Sequence, residues 1–254
     1  MFEVANHLAV LLILAAFVAG CVDAIAGGGG LITVPALLLA GASPVQALAT
    51  NKVQGTFGTA TAAFTYARRG HVDPRAQLGM AAVAGAGGAA GALIAQAVPV
   101  DLLRLIMPVV LVLVALYFAF KPGLDDRTRP ARLPPVVFGL TAVPLLAAYD
   151  GFFGPGTGSF YMMAFVSLAG FGLLKATAHT KMLNFASNLG SLLVFAWGGS
   201  TWWVLGLTMG LAQIAGAMLG ARLAMRIGAG LIRPLLVVTS SAMAARLIWQ
   251  VWGG

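Results

Sequence analysis

Asp23-Ala-Ile-Ala-Gly-Gly-Gly-Gly-Leu-Ile-Thr-Val-Pro35 places an aspartate and a run of four glycines inside a region that is otherwise apolar. Glycine enters left-handed backbone conformations freely and costs a helix about 1 kcal/mol relative to alanine, so such a run breaks a helix. The apolar run before it, 7–26, can cross about 30 Å of hydrocarbon. The run after it, 30–41, reaches only roughly 18 Å at 1.5 Å per residue. The pattern predicts a full span, a glycine break at depth, and a partial span. Asp150-Gly-Phe-Phe-Gly-Pro-Gly-Thr-Gly158 repeats it, between the long run 134–153 and the short run 157–170.

The remaining apolar runs fall at 46–67, 76–97, 103–120, 174–197, 202–222 and 231–252, which makes ten segments, five in each half. Eight are long enough to span, and the two short ones are expected to be partial or re-entrant. The 254 residues are 60% hydrophobic and only 9% charged, whereas soluble domains carry about 25% charged residues. That composition, with a mean hydropathy of +0.94, excludes a water-soluble monomer and leaves no room for a large soluble domain. The fold class expected is all-α: a polytopic membrane protein of 8–10 helical segments. Thirty-three glycines suit helices packed backbone to backbone in lipid.

The net charge of +8 does not point to nucleic acid, because ten of the fifteen basic residues sit in three short stretches between apolar runs. These are Arg68, Arg69 and Arg75; Lys121, Arg127, Arg129 and Arg132; and Arg222, Arg226 and Arg233. Positive loops face the cytoplasm, so the uncharged loop 198–201 and both termini should face outward. The tryptophans Trp197, Trp202, Trp203, Trp249 and Trp252 are expected as anchors at the outer interface. Val18-Ala19-Gly20-Cys21 matches a lipoprotein box superficially, but no Lys or Arg precedes the apolar run, so 7–26 is read as a retained helix. Cys21 is the single cysteine, and no Cys/His spacing suggests a metal; no cofactor is expected.

The two halves match in register. Asp23 to Gly27 aligns with Asp150 to Gly154 at an offset of 127, and Thr50-Asn51-Lys52 with His179-Thr180-Lys181 at 129. At that second offset Gly87 and Gly91 fall on Gly216 and Gly220, and Leu102-Leu103-Arg104 on Leu231-Ile232-Arg233. This argues for duplication: a first repeat over 1–124, a cytoplasmic loop at 125–133 and a second repeat over 134–254. The loop after the third segment is basic in one half and uncharged in the other, so the repeats should be inverted. Inverted repeats whose broken helices meet at the bilayer midplane are the architecture of many secondary transporters. Gly87/Gly91, Gly216/Gly220 and Gly206/Gly210 read as close-packing faces rather than chemistry.

Few charges remain away from the loops, chiefly Asp23, Lys52, Asp150, Lys181 and Arg246. A charge at the centre of a membrane helix costs about 2.5–3.5 kcal/mol on insertion scales and so faces a cavity or a partner. One reading makes them internal braces: Asp23 with Lys52 and Asp150 with Lys181, or crosswise between repeats. The other makes them part of an anion site. Glycine breaks expose backbone N–H groups at the starts of the following helices, which attract anions. The expected site therefore comprises Gly27, Gly28, Gly29, Gly30, Asn51, Lys52 and Gln54 from one half. The other half supplies Gly154, Gly156, Thr157, Gly158, Thr180, Lys181, Asn184 and Asn188, with Thr56 as a further polar neighbour in the first. Asp23 and Asp150 are unsuited as anion ligands but could switch by protonation, with His179 as a candidate relay; proton coupling is the hypothesis.

These joined motifs, together with Ala49-Thr50-Asn51-Lys52, the loop from Tyr66 to Asp73 and Lys175-Ala-Thr-Ala-His-Thr-Lys181, resemble the TauE/SafE family, the sulfite exporter family, over nearly the whole chain. The resemblance implies transport of sulfur-containing anions such as sulfite or organosulfonates across the bacterial inner membrane, usually as export. It also implies that the glycine breaks and the adjoining Asn, Thr and Lys positions line the pathway. The expected partners are a small anion and the bilayer, with a homodimer left open. The competing readings are a passive anion channel and a membrane assembly protein that transports nothing. An enzyme is not expected, because the sequence offers neither a metal-ligand set nor a nucleophile placed beside a base.

Overall fold

A computed structural model describes residues 3–120 and 127–228. Nine helices and no strand occur among the described residues: α1 (Asn6–Ala26), α2 (Gly29–Leu39), α3 (Pro44–Arg68), α4 (Leu78–Ala97), α5 (Val100–Phe120), α6 (Pro135–Phe152), α7 (Thr157–Ser167), α8 (Leu173–Trp197) and α9 (Trp203–Ile227). The all-α polytopic expectation holds, and each of these helices falls on an expected apolar run. Four of them, α1, α4, α6 and α9, are long and apolar enough to cross a membrane by composition alone. α3 and α8 are 25 residues each but carry polar residues through their middles, for a reason that emerges at the site. α2 and α7 have 11 residues, about 16 Å of helix, and cannot span.

One boundary is corrected. α9 continues to Ile227, so Arg222 and Arg226 lie on its last turns rather than in a loop. Cations there oppose the negative end of the helix dipole, which is why the helix extends beyond its apolar run. The tenth segment at 231–252, Arg233, Arg246, Trp249, Trp252 and the junction at 121–126 lie outside the described residues.

The interhelical contacts have a two-fold pattern. α1 packs on α9 as α6 packs on α4; α3 packs on α9 as α8 packs on α4; α2 leans on α1 and α3 as α7 leans on α6 and α8; and α3 crosses α8 at the centre. Exchanging α1 with α6, α2 with α7, α3 with α8 and α4 with α9 maps this set onto itself. The repeats are also antiparallel. At one end Glu3, just before α1, accepts from Val204 N–H and Leu205 N–H at the start of α9. At the opposite, basic end, Arg129 N–H and Arg132 N–H before α6 donate to the carbonyls of Gly170 and Leu168 after α7. α1 and α6 thus begin at opposite ends of the molecule, as inverted repeats require.

Small residues set the spacing. A side chain at Gly91 would collide with the Ala148 carbonyl of α6, and one at Gly216 or Gly220 with the backbone of α1 at Phe17 and Cys21. Gly206 and Gly210 meet Val53 and Phe57 of α3. Without a hydrophobic driving force between helices in lipid, such backbone contact is what dispersion needs to hold them together. Along α3 the hydroxyls of Thr56, Thr59, Thr61 and Thr65 each donate to the carbonyl four residues earlier. α3 starts at a capping box, Ser43 Oγ accepting from Gln46 N–H at 3.3 Å and Gln46 Oε1 from Ser43 N–H at 2.9 Å.

Candidate functional site

The two breaks meet at the centre. α1 ends at Gly27, whose φ of +82° is open to glycine, and its N–H closes onto the Asp23 carbonyl. Gly28 then starts α2. In the other half Gly154 (φ +85°) and Gly156 (φ +83°) flank Pro155, and α7 starts at Thr157. Gly27 and Gly158 cross with no room for a side chain on either. Ser159 locks the crossing, its N–H donating to Gly27 O at 3.2 Å and its hydroxyl to Ala26 O at 2.6 Å. Of the first-turn amides, Gly29 N–H is taken by Asp23 Oδ1 at 3.2 Å, whereas Gly30 N–H and Gly158 N–H donate to no acceptor among the described residues.

The four interior charges pair crosswise. Lys52 Nζ of α3 donates to Asp150 Oδ1 at 2.8 Å and to the Asp150 carbonyl at 2.5 Å, and Lys181 Nζ of α8 donates to Asp23 Oδ2 at 3.1 Å. The brace reading in its crosswise form is what the geometry shows. Two free electropositive clusters are not: each ammonium is neutralised by a carboxylate of the other repeat. The pairing follows from the inverted fold, which brings the end of α1 beside the middle of α8 and the end of α6 beside the middle of α3. Two isolated charges in this interior would each cost several kcal/mol, and pairing offsets that only when the remaining donors are also satisfied.

Between the breaks lies a small polar cavity of about 30 Å³, enough for roughly two waters at about 10–15 Å³ each. Of the expected residues it is lined by Asp23, Gly29, Gly30, Asn51, Asp150, Gly154, Thr157, Gly158, Asn184 and Asn188. Lys52 and Lys181 stand behind their aspartates, off the wall. Gln54 sits one step back, donating to Asn51 Oδ1 at 3.4 Å, and Thr180 is off the wall, buried with no partner for its hydroxyl. Gly27, Gly28 and Gly156 shape the breaks without lining the space. Thr56 bonds its own helix. His179 is placed elsewhere: its ring packs against Phe165 and Phe171 in a cleft of about 450 Å³ at the basic end, because two residues along a helix from Lys181 point to a different face.

Sequence reasoning missed Gly55, Thr59 and Gln213 on the cavity wall, Thr33, which donates to Asn51 Oδ1 at 2.7 Å, and Ser187, which donates to Asp150 Oδ2. Gln213 carried a signal: it is an amide alone in an otherwise apolar stretch of α9, and polar side chains in such helices find interior partners. It donates to Gln54 Oε1 at 3.3 Å, completing a chain from Gln213 through Gln54 and Asn51 to Thr33.

A second cleft, of about 360 Å³, lies at the other end around Ala42, Ser43, Gln46 and Arg104; the repeat relates Ala42 and Gln46 to Phe171 and Lys175 on the wall of the first. Two clefts at opposite ends, a small polar cavity between them, and inverted broken helices are the architecture of a membrane transporter. The family model for the sulfite exporter TauE/SafE matches residues 12–247, and the chain belongs to that family. It is 55% identical to the probable membrane transporter protein ORF9 of Sinorhizobium sp. over 98% of this chain and 95% of that protein. It is 44% identical to the probable membrane transporter protein YfcA of Escherichia coli K12 over 100% of this chain and 94% of the relative. A probable membrane transporter protein of Haemophilus influenzae is 43% identical over 98% of each. No solved structure matches the chain.

Proposed function

We propose that this protein is a secondary transporter of small sulfur-containing anions, sulfite or an organosulfonate, in the bacterial inner membrane, with the basic end in the cytoplasm and transport coupled to protons through a buried aspartate. One observation carries the reading: both interrupted helices start at the same cavity, with Gly30 N–H and Gly158 N–H unclaimed there. Helix N-termini with free donors suit an anion. Export is the direction that the family's description gives. A cavity of about 30 Å³ between clefts of about 360 and 450 Å³ favours a carrier over an open pore, since a pore needs continuous water.

Purified protein in liposomes tests this against sulfite, sulfate, thiosulfate and small sulfonates. Saturable flux of a sulfur oxyanion, accumulated when a proton gradient is imposed, is the expected result. Folded protein that neither binds nor moves any of them would end the reading, and flux that never exceeds the solute's own gradient would leave a channel instead.

A further inference from the structure

The two ion pairs are related by the repeat but are not equivalent. Around Asp150 every position is filled: Lys52 holds Oδ1 and the backbone carbonyl, Ser187 holds Oδ2, and the Lys52 and Asp150 side chains are 0% and 4% exposed. Asp23 is 17% exposed to the cavity, and its contacts to Lys181 and Gly29 N–H are longer, at 3.1 and 3.2 Å. The position that the repeat relates to Ser187 is Gly58, which has no hydroxyl to give. Its space is occupied by the Gln213 amide, which is committed to Gln54. One incomplete polar group lies on the same side. Asn184, one turn beyond Lys181 and lining the cavity, is 3% exposed and has a buried side-chain oxygen without a partner.

Resting on the transporter reading above, we propose that Asp23–Lys181 is the pair that opens, while Lys52–Asp150–Ser187 stays closed as a brace. An entering monoanion takes the carboxylate's place at Lys181, with the Asn184 Nδ2 group as the donor beside it, and the unpartnered Asn184 oxygen is left to accept from the protonated Asp23 carboxyl. The displaced Asp23 carboxylate takes up one proton from the bulk solution on the side from which the anion enters. The charge of the pocket is then unchanged, and anion and proton travel in the same direction, outward when the anion's own gradient exceeds the opposing proton gradient. The titratable groups facing Asp23 are Lys181 from α8, Tyr66 from α3, whose hydroxyl donates to Ala24 O at 2.9 Å, and Asp150 across the cavity. α2 supplies a backbone amide, and α9 supplies Gln213.

The sign follows from linkage: if protonation accompanies binding, anion affinity rises as pH falls, by up to about tenfold per pH unit for one proton. The full-length protein in lipid nanodiscs is titrated with methanesulfonate, whose own charge does not change with pH, and in parallel with sulfite. Wild type should show the slope; Asp23→Asn should lose it, varying less than about twofold; Ser187→Ala should keep it. A slope that persists in Asp23→Asn, or vanishes in Ser187→Ala, would overturn the assignment. If wild type binds neither anion, the function proposed above fails, and the inequality of the pairs is still decided without ligand. In a Cys21→Ala background, Asp23→Cys should react with a small charged thiosulfonate at least about tenfold faster than Asp150→Cys. Equal rates would refute it.

Discussion

Replacing Gly27 with alanine would force a side chain into Gly158 at a backbone angle of +82°, and the reverse change at Gly158 would press on Gly27 and on the Asn184 amide. Both variants should lose folded protein, or retain it with transport abolished, in detergent-exchange yield and liposome flux. The buried pair gives a second residue-scale prediction. Lys52→Met leaves Asp150 charged and unpaired and should destabilise by about 3–5 kcal/mol, whereas Lys52→Met with Asp150→Leu should recover much of that loss. Thermal unfolding of the purified variants measures both. At this scale the sequence was informative about which residues matter, because a charge or a glycine run inside an apolar segment is costly enough to need a cause. It could not say which aspartate meets which lysine. Spacing along the chain leaves the parallel and crosswise pairings equal, and only the three-dimensional crossing of α1 with α8 and of α3 with α6 chooses.

For single elements, the repeat's glycines divide into those that touch and those that do not. Gly216→Val should separate α9 from α1 at Phe17 and destabilise strongly, while Gly79→Ala, with nothing near it in the first turn of α4, should be neutral or add up to about 1 kcal/mol. Comparing their melting temperatures checks the assignment. Ser43→Ala removes the capping box of α3 and should cost about 0.5–2 kcal/mol in the same assay. Helix existence was legible because apolar runs in a chain of this composition have few alternatives, and glycine, proline and serine punctuate them. The end of α9 was not legible, since Arg222 and Arg226 read equally as loop residues or as cations closing a helix. Nor was the face of α8 that His179 occupies, which depends on rotation about the helix axis rather than on proximity to Lys181.

For the whole molecule, the antiparallel repeats make a prediction about sides. With Cys21→Ala as background, Ser200→Cys should react with a membrane-impermeant thiol reagent in intact cells. Arg75→Cys should react only after permeabilisation, because the α8–α9 turn and the α3–α4 turn lie at opposite ends. Labelling of both from one side would contradict the inverted arrangement. The duplication was visible in the sequence as matched motifs at a near-constant offset, and the basic stretches supplied its orientation. The exchange of partners, with α1 against α9 and α6 against α4, was not visible, because a repeat reads the same whether each copy closes on itself or on its twin.

The threonine hydroxyls of α3 have a bearing on how these helices can move past one another. Thr56, Thr59, Thr61 and Thr65 all answer to carbonyls of their own helix. Thr56 and Thr59 stand on one side of the helix and Thr61 and Thr65 on the other, so a neighbour sliding along either side breaks no bond to them. The helix is polar in composition yet greased along its length, and the friction of any shear between the halves falls on the glycine crossing, the charged pairs and interhelical bonds such as Gln213 to Gln54.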